Sequence, residues 1–222
     1  MLEKSVTKVL ELGCGVRPTP GALHHDRIAH SAHVDVAHDL DTLPWPWPDG
    51  SFDEIIAFDV LEHLKLEVAQ WLDEAWRILC PGGQLRLRLP AFDNPVSFRD
   101  PTHQRLFHEE TFYYWQPGHP LHENYGRFYF AESGRWWDVT HVARVNPDSR
   151  YGIGDLAVEL RKRGAAFPPD VPVNEPGPVG SPRSPGLQTG GRLANSSDVW
   201  AIAQEQADWS QYVPVPNGLQ TA

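Results

Sequence analysis

The sequence predicts an α/β fold on a doubly wound, mostly parallel sheet, and three observations carry that expectation. Short apolar runs bounded by Gly, Pro and Asp follow one another along the first ninety residues; the first ends in Gly13-Cys14-Gly15; and the stretch from Leu64 to Leu79 has helical periodicity before Pro81-Gly82-Gly83. Val6 to Leu12, β-branched and apolar, has the pattern of a buried strand entering a tight loop. A second strand is expected at Ala22 to Asp26 and a third from His33 to Leu40, where Val34 and Val36 alternate with polar residues. Pro18, Pro20 and Gly21 lie between Gly15 and Asp26, too short a span for a normal crossover helix, so the first crossover is expected to be shortened or absent.

Leu43-Pro44-Trp45-Pro46-Trp47-Pro48-Asp49-Gly50 is a proline-fixed loop, and Phe52 to Asp59 is the predicted fourth strand. In the helix that follows, Leu64, Val68, Trp71, Leu72, Ala75, Trp76 and Leu79 recur every three or four residues and make one apolar face. Gly83 to Pro90 is the fifth strand, with Leu85, Leu87 and Leu89 on one side. Residues 91–121 are aromatic, polar and aperiodic; they are expected to form a lid insertion over the sheet, with a short helix at Glu109 to Trp115. Phe128 to Ala131 and Trp136 to Val145 are predicted to pair as a hairpin around Gly134-Arg135, and Asp155 to Arg163 to be a last strand. The domain is therefore placed at residues 1–165. A Pro/Gly-rich linker at 166–197 follows, then a tail, 198–222, whose Trp200 and Trp209 suit a short helix docking on the domain or on a protein partner.

A formal charge of -10, with no run of Lys or Arg, argues against a nucleic-acid partner approached through its phosphates. Cys14 and Cys80 form no CxxC pair, so neither a zinc site nor a disulfide is indicated and a reducing cytoplasm is expected. No apolar run of about 18 residues would span a bilayer, and Met1 to Lys8 has no signal-peptide core. Of the eleven histidines, His24-His25-Asp26, His103 with His108, and His119 with His122 and Glu123 have no established ligand spacing, and no metal is expected.

A strand ending in Gly-Cys-Gly lets backbone pass close to a ligand, because glycine has no Cβ and accepts positive φ. After it come an acid closing the second strand, an acid closing the third, then strand, helix and Pro-Gly-Gly. That order sets Asp26 to accept hydrogen bonds from ribose hydroxyls and Asp39 beside an adenine, at the C-terminal edge of the sheet. If Asp35 ended the second strand, the ribose role would move there. The dinucleotide fingerprint is not met: Arg17-Pro18 stands where a third glycine belongs.

Val-Leu-Glu-Leu-Gly-Cys-Gly, His-Asp-Leu with Leu-Pro-Trp-Pro, Ser-Phe-Asp-Glu-Ile, Asp-Val-Leu-Glu-His-Leu and Arg-Ile-Leu-Cys-Pro-Gly-Gly, in this order, resemble the class I methyltransferases of the type-11 group over residues 5 to 90. The resemblance implies S-adenosylmethionine as cofactor. It also implies that Glu11, Gly13 and Gly15, with Cys14 between them, lie along the methionine part, Asp26 at the ribose, Asp39 and Leu40 at the adenine, and Asp59 at the mouth of the active site. The acceptor is expected to be an oxygen or nitrogen of a small molecule or glycan.

Methyl transfer from a sulfonium needs in-line approach of the acceptor and, for a hydroxyl, removal of its proton. His63, just beyond the fourth strand, and His103, closing the Asp100-Pro101-Thr102-His103 turn, are the two candidate bases beside Asp59. Glu62 has the position of a helix cap or ion-pair partner. Two rivals stay open. A nucleic-acid methyltransferase would show Asn-Pro-Pro-Tyr or Asp-Pro-Pro-Tyr where this chain has Asp59-Val60-Leu61-Glu62. A non-catalytic scaffold would act through the tail.

Overall fold

The predicted β-favouring runs become strands β1 (Val9–Leu12), β2 (Leu23–Asp26), β3 (Val36–Ala37), β4 (Phe52–Phe58) and β5 (Leu79–Pro90). The computed structural model describes residues 7–146 and 154–164; the predicted linker and tail helix lie outside them. Two further strands, β6 (Trp137–Val145) and β7 (Asp155–Lys162), complete a seven-stranded sheet of order β3-β2-β1-β4-β5-β7-β6. Neighbouring strands from β3 to β5 run parallel, while β7 is antiparallel to both β5 and β6. The sheet is therefore mostly parallel with one reversed strand. Chain order changes direction between β1 and β4, and the loops leaving their C-terminal ends open a crevice there.

No helix joins β1 to β2, and polar contacts do the work that apolar helix packing would do. The Thr19 N–H and hydroxyl both donate to the Glu11 carboxylate (2.7 and 2.6 Å), which pins the crossover loop back onto β1. Across the sheet, Leu10, Leu12, Ile55, Ala57, Leu85, Leu87, Leu89, Leu156, Val158 and Leu160 form a continuous apolar core. Helix α1 (Val68–Ile78) buries Trp71, Leu72, Ala75 and Ile78 within it. Among the described residues no helix is long and apolar enough to cross a membrane.

The helix begins four residues later than its periodicity suggests. The Asp41 carboxylate takes the N–H groups of Lys65 and Leu66 (2.7 and 3.0 Å), which keeps them out of a helical ladder, and Gln70 Oε1 accepts from the Glu67 N–H (3.3 Å) at the true start. It ends at Ile78, ahead of Pro81-Gly82-Gly83. Those residues lie in β5 as an irregularity between the Phe52–Leu79 and Glu54–Gln84 pairs. The third strand is only two residues long, because the chain turns back at Asp39, whose carbonyl accepts from the Thr42 N–H (2.8 Å).

Arg77 ties α1 to the proline-fixed loop. Its guanidinium donates to both Glu74 oxygens (2.9 and 2.7 Å), to the carbonyls of Trp45 (3.1 Å) and Trp47 (2.8 Å) and to Asp49 (2.8 Å), while Glu74 also accepts from the Trp45 N–H (2.8 Å). Trp45 is buried edge-on against Trp71, with ring centroids 5.6 Å apart, and its indole N–H donates to the Leu40 carbonyl (3.0 Å).

The expected hairpin of Phe128–Ala131 with Trp136–Val145 does not form. Residues His122–Gly126 and Arg127–Tyr129 are helical turns, and the partner of β6 is β7. Gly126 explains the helical choice: a Cβ there would lie 1.8 Å from the Tyr114 carbonyl oxygen, so the turn packs against that backbone only because the position is glycine. Tertiary contact overrides the β-propensity of Phe-Tyr-Phe. In the 91–121 segment the predicted helix Glu109 to Trp115 is a 3-10 turn, Thr111–Trp115, and a short helix, Val96–Arg99, precedes the Asp100 turn.

Candidate functional site

Gly13 leaves β1 at φ +66°, and a Cβ on it would come 2.5 Å from Val60 Cγ2. Only glycine lets the end of β1 pass this close to the end of β4. Gly15, also at positive φ, donates its N–H to the Asp26 carboxylate (2.9 Å), and its carbonyl meets the His33 ring (2.8 Å). The glycine loop is thus laced to the end of β2. Burial alone would raise the Asp26 carboxyl. The N–H groups of Gly15 and Arg27 and the His30 ring together outweigh it and hold Asp26 below its ordinary value of 3.8. A depressed folded value means that this tie is complete above about pH 4 and is lost as pH falls through the lowered value.

A cavity of about 650 Å³ opens at this edge of the sheet, within the usual range for small-molecule sites. Gly13, Asp26, Asp39, Leu40 and Asp59 line it, with His63 and Lys65, and Pro101, Thr102 and Gln104 contribute from the 91–121 segment. The sequence-derived residues divide here. Glu11 and Gly15 are close by but outside the cavity lining, and the Glu11 carboxylate is occupied by Thr19. Cys14 is buried beside them; burial first, then Asp26, Glu11 and Asp35, push its thiol up to about 11, so it is a neutral thiol and not a nucleophile. Asp35 does not end β2, which closes on Asp26; its carboxylate accepts from the His24 N–H (2.8 Å).

Asp59 has φ 57°, a conformation anchored by its N–H donating to the Arg88 carbonyl (2.9 Å). Its carboxylate pairs with the Arg88 guanidinium, whose Nε donates at 3.2 Å. Asp59 thus lines the cavity with its carboxylate engaged by the Arg88 guanidinium.

His63 and His103 converge, with ring centroids 4.7 Å apart. Thr102 donates its hydroxyl proton to Asp100 (2.6 Å), because a carboxylate only accepts; Thr102 Oγ1 must then accept from His63 Nδ1–H (2.8 Å). His103 Nδ1 faces the Ser97 carbonyl (3.1 Å), which likewise only accepts. Both imidazoles therefore present Nδ1–H to these acceptors, which in the neutral tautomer leaves the lone pair on Nε2. Burial, followed by the neighbouring His103 ring, lowers the pKa of His63 and favours this neutral form.

Sequence reasoning missed Glu62. It sits in a 3-10 turn, Leu61–His63, is 1% exposed, and neither carboxylate oxygen has a hydrogen-bond partner in any other residue. It caps no helix. Burial first, and the negative charge of Asp59 second, push its carboxyl up to about 9. The available signal was its place beside His63, one 3-10 turn after Asp59.

The glycine crossing at Gly13, the acids closing β2 and following β3, and a cavity at the switch between β1 and β4 fit a nucleoside-bearing cofactor with a polar tail. Residues 13–87 match the family model described as a methyltransferase domain. A probable S-adenosylmethionine-dependent methyltransferase of Mycolicibacterium smegmatis is 33% identical over 106 residues, which cover 40% of this chain and 39% of that protein. The chain thus matches well under half the length of that curated relative. Among solved structures, an S-adenosylmethionine-dependent methyltransferase of Mesorhizobium loti is similar, with a TM-score of 0.46 and 16% identity, covering 70% of this chain and 90% of that one. Another from Archaeoglobus fulgidus has the same TM-score and identity, over 72% and 87%. The family match over residues 13–87 and the strand order agree on a class I methyltransferase domain of the type-11 group in that part of the chain, and such a domain implies S-adenosylmethionine as cofactor.

Proposed function

We propose that the protein transfers the methyl group of S-adenosylmethionine to an oxygen or nitrogen of a small-molecule or glycan-like acceptor. The observation that carries this reading is a single cavity whose wall runs from Gly13, Asp26 and Asp39 to the His63 imidazole. Bound S-adenosylmethionine supplies a methyl group on a positively charged sulfur. The chain's residues hold and orient. Asp26, whose Oδ1 has a free acceptor direction, would take ribose hydroxyls, Asp39 and Leu40 would flank the adenine, and Gly13 would permit the close approach of the methionine part. Held in this cavity, the cofactor would offer its methyl group to an acceptor's lone pair, and the Nε2 lone pair of His63, in the cavity wall, would take the acceptor's proton. His103 supports His63 from behind.

The charge of -10 and the absence of a base-clamping motif after β4 favour a small acceptor over a nucleic acid. Incubation with methyl-labelled S-adenosylmethionine and panels of small hydroxyl compounds, amines, glycans, DNA and RNA tests the choice. Label is expected in a small or glycan acceptor, and label in nucleic acid alone would overturn it. His103→Ala is expected to lower turnover about 10²-fold while changing cofactor affinity less than about threefold. Unchanged turnover would reduce His103 to a turn-forming role. Asp26→Ala is expected to weaken S-adenosylhomocysteine binding about tenfold or more, through the lost ribose contacts and the released glycine loop; calorimetry with equal affinities for both proteins would remove Asp26 from the site.

A further inference from the structure

Glu62, His63 and His103 present one donor atom each, all within 4.8 Å of one another. We infer that this triad is a binding site for a first-row divalent transition ion at the acceptor end of the cavity. Two independent features of the chain point there. The Glu62 carboxylate is buried with no hydrogen-bond donor from any other residue on either oxygen, a costly arrangement unless a cation meets it. The two imidazoles have their Nδ1 protons committed to Thr102 and the Ser97 carbonyl, so that their Nε2 lone pairs are the atoms left for coordination. Carbonyl and hydroxyl partners on the far nitrogen are the usual means by which a protein orients ligating histidines.

Two imidazoles and one carboxylate select the ion. Nitrogen donors suit zinc, cobalt, iron or manganese and disfavour magnesium and calcium, which take oxygen sets. Bond lengths of about 2.0–2.2 Å require the three side chains to close by roughly an ångström each. Three protein ligands leave positions open toward the cavity that His63 lines, where an acceptor's oxygen would be the natural further ligand. The ion would then hold that oxygen beside the methyl donor and favour its deprotonated form, in place of direct proton capture by His63. This role rests on the methyl-transfer reading; the ion site does not.

A second cluster, Cys14 with His30 and His33, is less prepared. The His33 ring already meets the Gly15 carbonyl and Ser31, and His30 meets Asp26. It serves as the internal control.

The test is titration of the chelator-treated full-length protein with Co2+, followed by visible absorption and without cofactor or acceptor. One equivalent is expected to bind, with absorption bands of nitrogen and oxygen coordination. Glu62→Gln and His103→Ala should each weaken binding tenfold or more, and Thr102→Val, which frees the His63 ring, by about tenfold. Cys14→Ser should leave it unchanged. Glutamine matches the neutral form of Glu62 in shape, and thermal unfolding of each ion-free variant verifies its fold; should Glu62→Gln unfold, His103→Ala decides. Lack of saturable absorption by the parent protein, or binding lost in Cys14→Ser and retained in His103→Ala, overturns the site. Because methyl transfer plays no part in the readout, failure here and failure of the transferase reading are separately visible.

Discussion

Replacement of Gly13 by alanine is expected to weaken S-adenosylhomocysteine binding by two orders of magnitude and to destabilise the domain by about 2–4 kcal/mol. Two costs add. At φ +66° an L side chain carries a backbone penalty of about 1–2 kcal/mol, and the new Cβ would stand 2.5 Å from Val60 Cγ2. Val60 is short and β-branched, so it yields only by a change of its restricted χ1 rotamer or by moving its backbone. It lies between Asp59 and the turn holding Glu62 and His63, so the displacement reaches both ends of the cavity. Gly15→Ala provides the contrast: φ is +54° but nothing lies within 4 Å of the added Cβ, so only the backbone penalty of about 1 kcal/mol applies. Calorimetry and thermal unfolding of the two variants separate these costs. Equal losses would show that the Val60 contact does not matter.

Arg77→Ala is expected to cost about 3 kcal/mol of stability, although Arg77 touches no part of the cavity lining. The substitution leaves the Glu74 carboxylate, 11% exposed, with the Trp45 N–H as its remaining donor, and removes the guanidinium from the carbonyls of Trp45 and Trp47. Arg77→Lys should recover less than half, since an ammonium cannot reproduce a fork aimed at two carbonyls and two carboxylates. Release of the loop also loosens Leu40, held through the Trp45 indole, so a smaller loss of cofactor affinity should accompany the loss of stability. Urea denaturation measures the first effect, and a difference below about 1 kcal/mol would contradict the role assigned to this network.

Local chemistry made much of the domain legible in the chain. Glycine and proline mark where β1 ends and where a crossover helix cannot form, and an apolar stripe marks the body of α1; such features depend on neighbours in sequence. The start of α1 was hidden because Asp41, far away along the chain, claims the N–H groups of Lys65 and Leu66. The pairing of β6 with β7 was hidden for the same reason, and an aromatic run with Gly134 suggested a closer partner. In the site, the positions of Gly13, Asp26, Asp39, Leu40, Asp59 and His63 around one space follow from the order of strand ends. Glu11 could not be separated from them by sequence, because its attachment to Thr19 depends on how the helix-free loop folds back. Glu62 was obscured because adjacency to a helix suggested a cap, whereas burial of an acid without donors is a tertiary fact.

Calorimetric titration of the full-length protein with S-adenosylhomocysteine tests most directly whether the crevice between β1 and β4 is the cofactor site. One molecule per chain is expected, with a Kd in the range of about 1–100 μM, competed by S-adenosylmethionine and weakened about a hundredfold in Gly13→Ala. No heat of binding, together with no rise in unfolding temperature at millimolar ligand, would contradict it.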